Sequence, residues 1–281
     1  MSTFLAAVVQ LTTTDDVEAS LNRACAAVED AARRGATLVA LPENVSFMGS
    51  ERVKLTLREP LHGPTFQRFA DLARALRIHL IAGTLPEVAP DDARAFNTSV
   101  VFGPDGARLG AYRKIHLFDV ELGEGATHRE SATVEGGTSA ALVDTALGKL
   151  GLSICYDVRF PGLYRALTRA GAEILSVPAA FTVPTGRDHW EVLIRARAIE
   201  NQCFVLAPAQ VGANAPNRRT FGRSMIVDPW GTVLTTCPDA PGVALAEVDL
   251  ARLRDLRARL PIANHERPEA YDVQIPTADQ R

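Results

Sequence analysis

Between Leu150 and Ala179 the chain reads LGLSICYDVRFPGLYRALTRAGAEILSVPA, and few architectures accommodate that order of residues. Leu150, Leu152 and Ile154 make a short apolar run of strand type. Behind Pro161, a residue at home in a first helical turn, Leu163, Ala166, Leu167 and Ala170 recur at helical spacing. A second apolar run, Ile174 to Val177, follows directly. The pattern predicts a βαβ unit, and open α/β sheets bind and react at the carboxyl ends of their strands. Cys155 falls where the first strand gives way to the helix. A free cysteine is more often a small buried hydrophobe than a nucleophile, and that reading serves Cys25, Cys203 and Cys237. Cys155 differs because Tyr156, Asp157 and Arg159 follow it, polar company that an apolar strand has little other reason to meet.

The same alternation runs through the rest of the chain. Phe4 to Val9 reads as a buried strand; Asp15 with Glu18 resembles a capping box; Val17, Leu21, Ala24, Val28 and Ala31 form one helical face. Gly35 ends that helix, and a strand from Thr37 to Leu41 stops at Pro42 and Glu43, so a carboxylate mirrors the cysteine at a strand end. Pro64 opens a helix with Phe66, Phe69, Leu72 and Leu76 buried, before a strand from Ile78 to Thr84. Thr98 to Phe102, Gly103-Pro104-Asp105-Gly106 and Arg108 to Lys114 read as a hairpin. The segment from His116 to Gly137 is long and weakly periodic, as loops that line pockets are. Beyond the central unit come a helix from Asp188 to Gln202 (Trp190, Leu193, Ile194, the Arg197 stem and Ile199 inward), a strand from Phe204 to Pro208, a hairpin around Asp228-Pro229-Trp230-Gly231 and a helix from Leu250 to Leu260. Each half therefore runs strand, helix, strand, helix, strand, hairpin. Two such halves packed face to face give an α/β fold, a four-layer αββα sandwich, with one domain over 1–271 and a tail over 272–281. The chain from Pro261 onwards is expected on another surface, such as a partner subunit.

Composition narrows the function. Of 281 residues, 47% are hydrophobic and 22% charged, the proportions of a globular protein. A net charge of −3 with no basic stripe gives no reason to expect nucleic acid. The first residues have no basic flank and no small-residue cleavage site, and nothing approaches the roughly 18 apolar residues of a membrane span, so no membrane partner is expected. Four scattered cysteines without a C-x-x-C pair predict neither a zinc site nor a disulfide framework, and suit a cytoplasmic, reduced protein.

A thiol attacking a carbonyl needs a base, an oxyanion donor and an acid for the leaving group. Of the histidines, His116 and His189 lie near the stretches singled out, yet neither stands at a strand end. Glu43 does, and burial can raise a carboxyl into the range of a useful base. Lys114 could supply the cation. Taken singly, Glu43 and Lys114 also read as a solvated charge or a helix cap; together with Cys155 they make a constellation.

The segments LVALPENVSF, YRKIHLFD and ICYDVRFP, in that order, resemble the three signature segments of the nitrilase superfamily, the carbon–nitrogen hydrolases. The likeness runs from Phe4 to about Tyr271. It implies an αββα sandwich that dimerises, Glu43 as general base, Lys114 as stabiliser of the tetrahedral intermediate, Cys155 as the acylated nucleophile, and Glu130, in HRES, as orienter of the lysine and the substrate amide. It also implies a thioester intermediate, an oxyanion shared by Lys114 and the backbone N–H of Tyr156, and no metal or organic cofactor. The segments FTVPTGRDHWEVLIRARAIENQCFVLAPAQ and MIVDPWGTVLTTC resemble the branch whose amidases act on deaminated glutathione or on α-ketoglutaramate, both releasing 2-oxoglutarate. By motif position Tyr156, Arg159, Phe181 and Thr185 would then line the substrate pocket, with Arg159 on the α-keto carboxylate or, instead, in an ion pair with Asp157. Ala198-Ile199-Glu200 with Gln202-Cys203 favours deaminated glutathione, while the segment VGANAPNRR, Val211 to Arg219, departs from the usual loop. Arg218 and Arg219 there could meet a dipeptide carboxylate. Some proteins of this fold are binding modules without the triad, which remains the alternative to an enzyme acting on a small-molecule amide.

Overall fold

A computed structural model describes residues 3–91, 93–121, 127–216 and 218–271 of the chain. The first half carries β1 (Thr3–Gln10), α1 (Val17–Arg33), β2 (Leu38–Ala40), α2 (Glu51–Thr56), α3 (Pro64–Leu76), β3 (His79–Ile81), β4 (Leu85–Val88), β5 (Ala95–Phe102), β6 (Arg108–Arg113), β7 (Asp119–Glu121), β8 (Thr127–Arg129) and β9 (Val134–Glu135). The second carries β10 (Ala141–Thr145), β11 (Gly148–Leu152), α4 (Pro161–Arg169), β12 (Ile174–Ser176), α5 (Val183–Thr185), α6 (Glu191–Asn201), β13 (Phe204–Ala207), β14 (Val211–Ala215), β15 (Arg218–Phe221), β16 (Met225–Val227), β17 (Val233–Thr236), β18 (Gly242–Asp249), α7 (Leu250–Arg259) and α8 (Ile262–His265).

Strand alternation divides the apolar side chains between two cores, and that division makes the layers. Ala6, Val8, Leu38, Ala40, Ile81 and Val101 point into a core shared with Leu150, Leu152, Ile174 and Phe204. Their neighbours Ala7, Val9, Val39, Leu80, Val100 and Phe102 point the other way, onto Leu21, Ala24 and Val28 of α1 and Phe66, Phe69 and Ala73 of α3. Tyr164 and Leu167 of α4, with Ile194 and Ala198 of α6, close the far side. The result is helices, sheet, sheet, helices, the αββα order expected from the sequence. The first sheet runs β18-β1-β2-β3-β5-β4 with β6 also on β5, and the second runs β10-β11-β12-β13-β16-β17. In each, three parallel strands are flanked by antiparallel ones.

Several local expectations change. The cap of α1 is Asp16, whose side chain accepts from the Ala19 N–H, rather than Asp15. Helix α2 and the edge strands β10 and β18 were not foreseen, and Val211 to Arg219, expected as a loop, lies within the β14–β15 hairpin. Ile199 faces outward rather than into the core. Residues 262–271 are tied to α4 of the same chain, because Arg165 and Arg169 hold the Glu266 carboxylate. The 272–281 tail lies outside the described residues, as do residues 122–126 of the expected pocket loop. Among the described residues, no helix is long and apolar enough to cross a membrane, and no cluster of three metal-ligating side chains occurs.

Candidate active site

After β11 the chain turns into a 3₁₀ helix, Cys155–Arg159, with Cys155 at φ +50°. A side chain in the left-handed region costs roughly 1–2 kcal/mol, so the surroundings must enforce it. They do so from two sides. The Cys155 N–H donates to the Pro178 carbonyl at 2.9 Å. The buried Asp157 carboxylate accepts from the Ile154 N–H (2.8 Å), the Tyr112 hydroxyl (2.7 Å) and the His116 N–H (3.0 Å), and meets His116 Nδ1 at 2.7 Å. The His116 ring also lies flat on Phe160, so its imidazole is committed to this clamp.

Glu43 follows β2, and its main chain is held by both halves. Gln210 Nε2 donates to the Glu43 carbonyl at 2.9 Å, and the next amide, that of Asn44, donates to Thr84 Oγ1. Glu43 stands beyond the second strand of its half and Cys155 beyond the first parallel strand of the other, so the mirror relation expected from sequence reduces to a shared carboxyl edge. Lys114 extends β6; its N–H donates to the Asn97 carbonyl, which puts it beside Asn97 of β5. Its ammonium is 2% exposed and donates to Glu43 Oε1 at 3.1 Å and to both Glu130 oxygens at 2.9 and 2.8 Å. Glu130 is steadied by the Phe118 N–H at 2.7 Å. Asn97, missed in the sequence, donates from Nδ2 to Glu43 Oε1 at 3.0 Å and reaches Glu130 Oε1 at 3.5 Å. The signal was available: Asn97-Thr98-Ser99 is a polar triplet inside an apolar strand.

Burial would raise the Glu43 carboxyl, but the Lys114 ammonium and the neighbouring Cys155 thiol outweigh that and hold its pKa below the ordinary value. The sequence-based expectation of a raised carboxyl is thus reversed by a cation at contact distance. Burial, then the Glu43 charge, pushes the Cys155 thiol well up, with Lys114 and the Ala180 N–H opposing. Burial works against the Lys114 ammonium too, yet Glu130, Glu43 and Cys155 together keep its pKa well above ordinary. The resting state is therefore thiol, carboxylate and ammonium, with a proton positioned to pass from sulfur to Glu43.

These groups form the floor of a cavity of about 520 Å³. That volume falls in the ~300–1,000 Å³ range of small-molecule sites. Of the predicted pocket residues, Tyr156, Phe181 and Thr185 line it, Thr185 hydroxyl-bonded to Thr182 at 2.8 Å. The Tyr156 N–H lies in the first 3₁₀ turn, where a backbone donor lacks an intrahelical acceptor. Arg159 is not among the lining residues. Its guanidinium lies 5.8 Å from the Tyr156 ring and 5.5 Å from the Phe181 ring, both of which line the cavity, and meets His189 rather than Asp157. The cations that do line the cavity are Lys54, Arg129 and Arg218 besides Lys114.

The sequence pattern described as carbon-nitrogen hydrolase matches residues 5–258. The chain belongs to that family. It is 44% identical to a deaminated glutathione amidase of Synechocystis sp. over 94% of this chain and 98% of that protein. It is also 37% identical to the omega-amidase NIT2 of Mus musculus over 98% and 99%. The crystal structure of the C. elegans NitFhit protein superposes with a TM-score of 0.90 at 39% identity, covering 98% of this chain and 68% of that one. The family resemblance and the sandwich read from the sequence both hold, and the protein is a hydrolase of carbon–nitrogen bonds.

Proposed function

We propose that this carbon–nitrogen hydrolase is a cysteine amidase whose substrate is deaminated glutathione. The observation that carries the chemistry is that Cys155, Glu43 and Lys114 line one cavity, with the Glu43 carboxylate 3.1 Å from the Lys114 ammonium. Glu43 takes the thiol proton as sulfur adds to the amide carbon. The oxyanion that forms is met by Lys114 and the Tyr156 N–H, each donor typically worth about 10²–10³ in rate. As the oxyanion draws on the Lys114 charge, Glu43 loses part of its stabilisation and becomes the stronger base the step needs. Collapse breaks the C–N bond, Glu43 returns the proton to the departing nitrogen, and a thioester remains on Cys155. Water then adds to the thioester while Glu43 accepts its proton; collapse releases the acid and restores the thiol. Glu130 and Asn97 keep Lys114 and Glu43 in register throughout. No step calls for a cofactor.

The substrate assignment rests on the 44% identity to a protein named for that activity and on a cavity with cations beyond its floor. The likeness to an omega-amidase supports a second reading, α-ketoglutaramate, since the floor alone suffices for a primary amide. The two are separated by kcat/KM measured side by side; turnover of α-ketoglutaramate alone would transfer the assignment to it. We further propose a single cytoplasmic domain acting as a homodimer, because Val192, Ile199, Trp230 and Leu260 are exposed large apolar groups on or near the faces of α6 and α7. Light scattering that gives one species of 30.2 kDa at micromolar concentration refutes the dimer.

A further inference from the structure

The cavity carries cations of two kinds. Lys54, on α2, is close enough to Glu43 for its charge to lower that carboxyl, and is mostly buried. Arg218 belongs to the β14–β15 hairpin and reaches the same Glu51 carboxylate as Lys54, from its other oxygen; burial and then the Arg218 charge lower the pKa of His128, which also lines the cavity. The hairpin is fixed to the cavity: the Phe221 N–H donates to the Phe181 carbonyl at 2.9 Å, and Thr220 bridges Thr182. Alternation along β15 then turns Thr220 and Arg218 to one face and Arg219 to the other, which is why Arg218 lines the cavity and the exposed Arg219 does not. Arg218 Nη1 already holds a carboxylate, Glu51 Oε1 at 3.4 Å, from the first turn of α2. Both partners are partly exposed, so the pair is weak and exchangeable.

Deaminated glutathione has a carboxylate at each end. On the acyl side the α-keto carboxylate is a few bonds from the scissile carbon. On the leaving side the glycine carboxylate closes a dipeptide that extends up to about 7 Å beyond the scissile nitrogen. We propose that Arg218 is the subsite for the leaving dipeptide's terminal carboxylate, and that Glu51 occupies this subsite in the free enzyme as a stand-in which the substrate displaces. Lys54, whose charge reaches the catalytic carboxylate, bears on both substrates alike. The assignment rests on the amidase reading above. It makes Arg218 a specificity residue, because an amide that releases only ammonia has nothing to place there.

The test is kcat/KM for deaminated glutathione and α-ketoglutaramate in wild type, Arg218→Ala, Glu51→Gln and Lys54→Ala. Arg218→Ala is expected to lower the ratio of the first to the second about tenfold, mainly through KM, the loss of one charge-assisted contact. Glu51→Gln, which releases the guanidinium, raises the ratio and strengthens inhibition by free cysteinylglycine. Lys54→Ala lowers both rates together. A ratio in Arg218→Ala within twofold of wild type, or a Glu51→Gln ratio below it, overturns the subsite, as does a wild type active on α-ketoglutaramate alone. A wild type inactive on both substrates overturns the amidase reading first and the subsite with it.

Discussion

Replacing Lys114 with methionine removes the ammonium that lies between Glu43 and Glu130 and leaves a side chain of similar length. Two unit charges 3.1 Å apart attract by about 5 kcal/mol at an effective dielectric of ~20. Breaking a buried pair by removing one partner typically costs ~3–5 kcal/mol. The sign of the pH dependence follows from the carboxyl. In the wild type the folded Glu43 pKa is below its ordinary 4.5, so its stabilisation is complete above that value and is lost as pH falls through the folded one. In Lys114→Met burial acts without its counter-ion, the folded pKa rises above the unfolded one, and the variant loses stability as pH rises through that window. The difference between the two proteins is therefore widest near pH 7.5 and narrows towards pH 5. Urea unfolding followed by tryptophan fluorescence, at one fixed protein concentration and both pH values, measures it. A deficit under ~1 kcal/mol at pH 7.5, or one equal at the two pH values within the error of extrapolation, refutes the account of a lysine that holds the buried Glu43 carboxylate ionised.

Cys155→Ala is expected to abolish turnover while costing less than ~1.5 kcal/mol in urea, since one sulfur at a cavity surface is lost; measurable amide hydrolysis in the purified variant removes Cys155 as nucleophile. The pH profile of kcat/KM should show an acid limb below pH 4.5, from protonation of the lowered Glu43, and no alkaline limb below pH 9, because the Cys155 thiol is raised above its ordinary 9.0 and Lys114 stays charged. A limb near pH 6.5 would indicate a histidine base instead. Gly83→Ala puts a Cβ into the Pro42 carbonyl at a residue with φ +45°, so it should cost ~1–3 kcal/mol and lower kcat by displacing Glu43; a variant with unchanged urea midpoint and kcat contradicts that packing.

What was legible in the sequence was whatever a short range of residues determines. The βαβ run around Cys155, the strand end at Glu43 and the Arg108–Lys114 hairpin all announce themselves by period and turn residues. The meeting of Lys114 with Glu43 was not so legible, because it depends on β6 pairing with β5 at Thr98↔Arg113, a register that brings Asn97 and Lys114 together. Asn97 itself carries no charge and sits in a strand, so only its burial reveals it. Arg159, expected by position as a pocket cation, lies against the Tyr156 and Phe181 rings that line the cavity, whereas Arg218 lines it directly through a hairpin whose pairing periodicity alone did not reveal. The Glu43 pKa failed for a related reason: burial is readable from an apolar strand, and the partner that reverses its effect is supplied from elsewhere in the chain.

One border of the first sheet comes from the second half. Strand β10 closes the edge of the second sheet on its sequence neighbour β11, but β18, made late in the second half, closes the edge of the first sheet on β1. During synthesis at ~5–20 residues per second, β1 therefore waits about 10–50 s for the partner that emerges on the order of 230 residues later. Throughout that interval a run of Ala, Val and Leu presents an unpaired backbone to its surroundings, the template on which strands of other chains add. For this protein the hazard of misassembly is concentrated on the ribosome, at β1, and ends only when β18 has been made.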